Sequence, residues 1–197
     1  MDVRVCALDE VEGGVEQGAL LLGQVVAIER ASFPAYESLA DHLRAEARAR
    51  GRTLLVARPR ADLAAVAGYL LLERRAVVVH VTKLAVAEQS RRRGVGRALL
   101  LEAARRARAP ARARASAAAR PVGTMTLHVD PARAGALALY ASVGFREESR
   151  RVDYYATGRD ALLLELDLTR AANGSDTEGG AMPIQGELRH RGCAALS

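Results

Sequence analysis

The chain has 197 residues, of which 50% are hydrophobic, a length that supplies one domain with a substantial core and is short for two. Its formal charge of +6 at pH 7 fits a polyanionic partner such as nucleic acid, acidic lipid or a nucleotide-like cofactor, although a GC-rich gene gives the same arginine and alanine enrichment. Two cysteines make no disulfide framework and no apolar stretch reaches the ~18 residues that span a bilayer, so we expect a cytoplasmic protein, with the nucleus as the alternative.

Hydrophobic periodicity predicts an alternation of helices and strands along the chain. Pro34 ends the first helical pattern, and Gly51 follows the second as a C-terminal stop. The predicted elements are strand 3–8, helices 19–31 and 37–50, strands 53–58, 64–73 and 77–86, helix 97–109, strand 124–129, helix 134–143, and strands 145–156 and 161–168. This order predicts an α/β fold, a mixed sheet with helices on both faces, and not a strict series of βαβ units.

Two segments lack any periodic pattern. Residues 110–121 contain Ala, Arg and Ser between two prolines, and we expect a low-complexity surface loop. Residues 170–197 mix Gly, Ser and charged residues, and we expect a disordered tail. One domain is therefore expected over residues 1–169.

The stretch SRRRGVGRALL, residues 90–100, places arginines and glycines directly before a predicted helix. A helix N-terminus offers unpaired N–H groups and the positive end of the helix dipole. Gly94 and Gly96 allow close approach to the backbone, and the arginines add charge, so the loop favours binding of a pyrophosphate. A tight turn with solvated arginines is the alternative. Neither a Walker loop nor a complete dinucleotide fingerprint is present.

This loop and a later helix resemble the GNAT superfamily of N-acetyltransferases. The family's loop signature is Arg/Gln-x-x-Gly-x-Gly/Ala, and its second signature is a helix with Ala-x-x-x-Tyr that ends in Gly-Phe. The matching residues are Arg91, Gly94 and Gly96 in the loop, and Ala136, Tyr140, Gly144 and Phe145 in the helix. The resemblance covers about residues 3–168. It implies a splayed GNAT-type sheet and transfer of an acetyl group from acetyl-CoA to an amine.

The resemblance also implies where acetyl-CoA binds. In the family the pyrophosphate lies on the amides of the glycine loop, and the pantetheine arm pairs alongside the preceding strand. Arg133 stands near the place of the asparagine that commonly contacts the pantetheine or an ordered water. The implied cofactor-binding residues are Leu84, Ala85, Val86, Arg91, Arg92, Arg93, Gly94, Val95, Gly96, Arg97, Ala98 and Arg133.

Three stretches are similar to protein N-terminal acetyltransferases of the NatE type, and partly to plant acetyltransferases of the same superfamily. The segment FPAY corresponds to a Phe-Pro segment that lines the pocket for the first peptide residue, LHV carries a histidine at the place of a catalytic one, and DYYATGRDA carries a tyrosine pair that grips the peptide backbone. The implied residues are Phe33, Pro34 and Tyr36, then His128, then Tyr154 and Tyr155.

His80 departs from the NatE pattern, which has a catalytic tyrosine at that place. Histidines on this strand resemble those of the arylalkylamine acetyltransferases, so a small amine is the alternative acceptor to a peptide N-terminus.

The chemistry requires an amine to lose a proton before it attacks a thioester. An α-amino group has a pKa of about 7.7 to 8.0 and lysine about 10.4, so a base near neutrality suits the former. Histidine is that base, with His128 favoured over His80 and a satisfied sheet histidine as the alternative for each. The resemblance implies that Tyr140 is the general acid for the departing thiolate. The alternative is that Tyr140 is a core residue. Asp130 is expected to cap the next helix, or else to orient a histidine.

Other chemistries are weaker. The cysteines lack a partner for covalent catalysis, and the spacing of histidines and cysteines predicts no metal site. The arginine-rich segment lacks aromatic residues for base stacking, so nucleic-acid binding is a lesser alternative, as is a non-catalytic acyl-CoA-binding protein.

Overall fold

The structure is a computed structural model that describes residues 1–109 and 122–169. The predicted loop at 110–121 and the predicted tail at 170–197 lie outside the described residues. No helix in the described part of the chain is both long and apolar enough to cross a membrane.

The described chain forms seven strands and four α-helices. The strands are β1 (Val3–Ala7), β2 (Arg52–Pro59), β3 (Gly68–Arg75), β4 (Val78–Val86), β5 (Thr124–Val129), β6 (Arg146–Ala156) and β7 (Arg159–Asp167). The helices are α1 (Gly14–Ser32), α2 (Leu43–Arg48), α3 (Val95–Arg108) and α4 (Ala134–Val143).

All seven strands belong to one sheet in the order β1-β2-β3-β4-β5-β7-β6. Only β4 and β5 run parallel, and every other neighbouring pair is antiparallel. The prediction of a mixed α/β fold is confirmed.

Each face of the sheet carries its own apolar core. On one face α3 packs through residues spaced three and four apart, and the buried set is Leu99, Leu100, Ala103, Ala104 and Ala107. The opposite face is covered by α1 and α2 with Leu21, Val25 and Leu43. The leucines of β7 alternate as predicted, since Leu162, Leu164 and Leu166 are all buried, and Leu168 directly after the strand is buried as well.

Two predicted helix boundaries are wrong. Helix α1 begins at Gly14 and not at residue 19, because its first turns expose residues such as Val15 and show no apolar periodicity. Helix α2 covers only Leu43–Arg48 of the predicted 37–50. The amides of Glu37 and Ser38 bond instead to the Pro34 carbonyl, at 2.9 and 3.0 Å, which makes this stretch a turn.

Strand β3 begins at Gly68 and not at residue 64. The preceding amides are taken by side chains, Ala64 N–H by Asp62 and Val66 N–H by Gln24. A Cβ at Gly68 would lie 2.8 Å from the Ala85 carbonyl oxygen of β4, so glycine is required where these strands approach closely.

The sheet opens between its two parallel strands. Pairing of β4 with β5 runs from Val78–Thr124 to Val81–Leu127 and ends there, although β4 continues to Val86. At the same point β4 bulges, since Leu71 of β3 faces Lys83 and Leu72 faces Val81, which leaves Thr82 as the extra residue. The two strands therefore part at the middle of the sheet.

Candidate active site

A cavity of about 320 Å³ lies where β4 and β5 part. Both strands, α4, β6 and the turn after α1 contribute to its wall. The lining residues are Phe33, Glu37, His80, Val81, Thr82, Lys83, Leu84, Leu127, His128, Val129, Arg133, Ala136, Tyr140, Tyr154 and Tyr155. The structure thus brings together the residues predicted as base and acid and three of the five predicted peptide contacts.

His128 is the less restrained of the two histidines that line the cavity. Its ring is stacked on Tyr154, with centroids 4.5 Å apart and planes at 15°. Both ring nitrogens are buried, and neither has a hydrogen-bond partner in the described residues. Burial, with a smaller contribution from the nearby Arg151 guanidinium, lowers the pKa of His128 below its usual 6.5. The imidazole is therefore neutral and has a free lone pair at pH 7.

His80 is more restrained than His128. Its Nδ1 lies 3.0 Å from the Thr126 hydroxyl on β5, and its ring centroid lies 5.2 Å from that of His128. Burial, assisted by His128, lowers the pKa of His80 to about 4. Such a weak base contributes less to proton removal near neutral pH than a histidine closer to its usual pKa.

Tyr140 lies on α4 and is 8% exposed. It packs edge-on against Phe145, at 5.8 Å between centroids, and Gly144 between them ends the helix with a left-handed φ of 103°. Burial raises the pKa of Tyr140 to about 12, which keeps the phenol protonated. The Gly-Phe end of the motif thus sets the tyrosine at the cavity.

The predicted peptide contacts divide into lining and rim residues. Phe33, Tyr154 and Tyr155 line the cavity, and the two tyrosines meet edge to face at 5.0 Å. Pro34 and Tyr36 are exposed outside it, and the Tyr36 hydroxyl accepts a hydrogen bond from Arg159 at 3.2 Å. The roles of Pro34 and Tyr36 as substrate contacts stay predictions. Both residues lie at the mouth of the cavity and not in its wall.

Sequence reasoning missed an ion-pair network at the cavity mouth. Glu37 pairs with Arg133 at 3.1 Å and with Arg159 at 3.0 Å, and Arg159 also pairs with Asp130 at 2.8 Å. Asp130 accepts the Ala132 amide as well. Helix α4 has Arg133 at its N-cap position, so the expectation that Asp130 caps it is wrong, and no bond joins Asp130 to a histidine in the described structure.

A second missed network lies beneath the cavity. Glu29 of α1, 0% exposed, accepts hydrogen bonds from the Tyr69 hydroxyl and, at 2.6 Å, from the Leu39 amide. Lys83 Nζ lies 3.8 Å from Glu29. Burial raises the pKa of Glu29 and lowers the pKa of Lys83. A charged residue among the apolar positions of α1 was the only available sequence signal.

The arginine–glycine loop forms the N-terminus of α3. The first helical hydrogen bond runs from the Ala98 amide to the Gly94 carbonyl, so the amides of Val95, Gly96 and Arg97 precede the ladder. Gly94 has a φ of 81° with open space where a Cβ would stand. Arg91, Arg92, Arg93 and Arg97 are exposed around it. These amides and charges fit a pyrophosphate.

Gly96 has a different physical role from Gly94. A Cβ on Gly96 would lie 2.9 Å from Leu139 Cδ2, so this glycine lets α3 pack closely on α4. The edge of β4 facing β5 is unpaired beyond Val81, which leaves Leu84–Val86 open to an added strand-like group such as a pantetheine arm. Arg91 Nε donates to the Val86 carbonyl at 3.2 Å.

Residues 50–147 match the model of the acetyltransferase (GNAT) domain family. The search of curated proteins found no significant match. Solved structures that resemble the chain include three acetyltransferases of different origin.

The ribosomal-protein-S18-alanine N-acetyltransferase of Escherichia coli has a TM-score of 0.61 and 21% identity, with 89% of this chain and 99% of that chain covered. NAA60 of Arabidopsis thaliana in complex with acetyl-CoA has a TM-score of 0.63 and 17% identity, with 86% and 100% covered. The spermidine/spermine N-acetyltransferase SpeG of Vibrio cholerae has a TM-score of 0.58 and 16% identity, with 85% and 93% covered.

The family model covers the glycine loop, β5 and the Tyr140 helix, and the solved structures share the fold. The chain therefore belongs to the GNAT acetyltransferase superfamily and is an acetyl-CoA-dependent N-acetyltransferase.

Proposed function

We propose that the acceptor is the α-amino group of a protein or peptide, acetylated by direct attack in a ternary complex. The observation that carries this proposal is the imidazole of His128, which lines the cavity and has no hydrogen-bond partner for either nitrogen among residues 1–109 and 122–169. A buried polar group without a partner is costly, and a substrate N–H is the partner that this site lacks.

The pKa of the acceptor amine distinguishes the candidate acceptors. At pH 7 the ratio of neutral to charged amine is roughly 250- to 500-fold higher for an α-amine, with a pKa of about 7.7 to 8.0, than for a lysine at about 10.4. A neutral histidine whose pKa lies below 6.5 removes a proton from the first far more readily than from the second. The lower pKa of the α-amine therefore favours it over a lysine side chain as the acceptor for a weakly basic histidine.

The reaction balances with the residues in the cavity. Acetyl-CoA supplies an acetyl thioester, whose carbon forms the new bond to nitrogen as the carbon–sulfur bond breaks. His128 takes the proton that the ammonium loses before attack and passes it to water, and the second nitrogen proton is released to water as the amide forms. Tyr140, with a pKa of about 12, donates a hydrogen bond to the departing sulfur, and the thiolate takes its proton from water.

The aromatic wall supports a peptide. The Tyr154 ring stacks on His128, Tyr155 meets Tyr154 edge to face, and Phe33 also lines the cavity. The phenol groups offer hydrogen bonds to a peptide backbone, while the rings contact the first side chain. The Escherichia coli structure named as a ribosomal-protein-S18-alanine N-acetyltransferase shares this fold.

A small amine is the second candidate. The pair of histidines in one cavity favours it, since His80 stands where the NatE type has a tyrosine. One of the solved structures that share the fold of this chain is the spermidine/spermine N-acetyltransferase SpeG of Vibrio cholerae.

A CoA-release assay separates the two acceptors. Peptides that differ only in the first residue are compared with the same peptides already acetylated at the N-terminus, and with arylalkylamines and spermidine. We expect CoA release with free peptides and none with blocked ones. Release with the small amines alone would reject the peptide acceptor.

A further inference from the structure

Lys83 is the only lysine among the 29 lysine and arginine residues of the chain. All the remaining basic positions counted here are arginines, including exposed positions where a lysine would serve as well. A compact ammonium differs from a planar guanidinium in fitting several partners at once in a small space. The single lysine therefore marks a position with particular packing demands.

Three groups surround the Lys83 ammonium. Nζ donates to the Glu37 carbonyl at 2.5 Å, lies 3.8 Å from Glu29, and sits 4.0 Å above the centroid of the Phe33 ring. The lysine side chain is 14% exposed and the glutamate 0%. Removing one partner of an ion pair so far from water leaves the other as an uncompensated buried charge, which disturbs the surrounding structure far more than breaking an exposed pair.

Glu29 fixes the same segment at a second point. Its carboxylate accepts the Leu39 amide and the Tyr69 hydroxyl of β3. The segment 33–42, which we call the acceptor loop, is thus tied to α1 and to the sheet through one carbonyl and one amide. The acceptor loop supplies Phe33 and Glu37 to the cavity wall.

We propose that Glu29 and Lys83 are positioning residues that hold the acceptor loop against the cavity and so set the affinity for the acceptor amine. The inference rests on the proposed function in one respect, namely that the Phe33 side of the cavity receives the acceptor. Neither residue needs to touch the reacting atoms.

An exposed ion pair on the same elements provides a matched control. Arg30 of α1 and Asp41 of the acceptor loop are 2.9 Å apart, with side chains 64% and 81% exposed. Exposed pairs contribute little because water screens them. Arg30→Met thus removes a cation that links the same helix and loop without emptying a buried site.

The kinetic test uses Lys83→Met, Arg30→Met and the wild type, with whichever amine the wild type acetylates. We expect Lys83→Met to raise the acceptor KM about tenfold, as for a small misplacement of a binding wall, with the acetyl-CoA KM within about twofold of the wild type. Arg30→Met should change neither the acceptor KM nor the acetyl-CoA KM. An unchanged acceptor KM, or an equal rise in both KM values, would overturn the proposal.

Two further measurements guard against a merely unfolded variant. In Glu29→Gln/Lys83→Met no buried carboxylate is left unpaired, so this double variant should melt at a higher temperature than Lys83→Met while its acceptor KM stays raised. In Glu29→Ala the Leu39 amide should exchange with solvent faster, and the amides of β2 should not. Unchanged exchange at Leu39 would contradict the positioning role.

Failure of the proposed function has a different signature. If only small amines are acetylated, the acceptor KM of that amine still reports on the acceptor loop, and the exchange of Leu39 needs no substrate at all. The two hypotheses therefore fail separately.

Discussion

The imidazole rings of His80 and His128 lie 5.2 Å apart on the two strands that separate at the cavity. Burial, with a smaller contribution from the neighbouring His128, lowers the pKa of His80 to about 4. Two neutral rings thus face one cavity at pH 7. His80 is hydrogen-bonded to Thr126, and neither nitrogen of His128 has a partner in the part of the chain that the structure describes.

Replacing His128 tests its role as the base. We expect His128→Gln to lower kcat by about 10²- to 10⁴-fold, the usual contribution of a general base, with the Kd of acetyl-CoA unchanged. Steady-state kinetics and calorimetric titration with acetyl-CoA give the two quantities. His80→Gln is the matched control and should have a smaller effect on kcat. A larger loss in His80→Gln than in His128→Gln would reverse the assignment.

The depressed pKa of His80 makes stability depend on pH. Its folded pKa of about 4 lies below the unfolded value of 6.5, so the unfolded state binds more protons between these values. The contribution of His80 is fully present above pH 6.5 and is lost as pH falls toward 4, by at most about 3 kcal/mol. Denaturant melts of the wild type and His80→Gln over this range measure it. Equal pH dependence of the two proteins would contradict the burial argument.

Tyr140→Phe removes only the phenol oxygen and retains the ring contact with Phe145. We expect kcat to fall about tenfold, the value of one hydrogen bond to the departing sulfur. The melting temperature should stay close to that of the wild type. Equal kcat values in variant and wild type would show that Tyr140 serves only to pack the core.

The charges beside Gly94 should affect the cofactor and not the acceptor. In Arg92→Gln/Arg93→Gln we expect the Kd of acetyl-CoA to rise about tenfold at low salt, and the difference to shrink as added salt screens the exposed arginines. Arg48→Gln/Arg50→Gln removes the same charge near α2 and serves as the control. A rise in the control as large as in the loop variant would indicate a general effect of net charge.

Periodic elements were predictable from the sequence because their burial repeats along the chain. The alternation of leucines from Leu162 to Leu168 predicted β7, and the spacing of the apolar residues that are buried in α3 predicted α3. Helix α1 was placed too late because its exposed first turns show no such repeat. Helix α2 was overextended because the Pro34 carbonyl captures two amides in a turn that helix propensity does not reveal.

The site was predictable where a local motif determines it. The glycine loop and the Gly-Phe helix end are contiguous in sequence, and the structure places Tyr140 at the cavity accordingly. Glu37, Arg159 and the Glu29–Lys83 pair were missed, since their contacts join residues far apart in the chain. Gly96 matches the family's loop signature, yet the space beside it is filled by Leu139, which only the packing of two helices reveals.

One competition experiment tests the proposed acceptor most directly. A peptide with a free α-amine and an internal lysine is mixed with equimolar spermidine and an arylalkylamine, and the acetylated products are identified by tandem mass spectrometry. The account predicts that the acetyl group is found on the peptide α-nitrogen. Acetyl groups found only on the small amines or on the lysine side chain would contradict it.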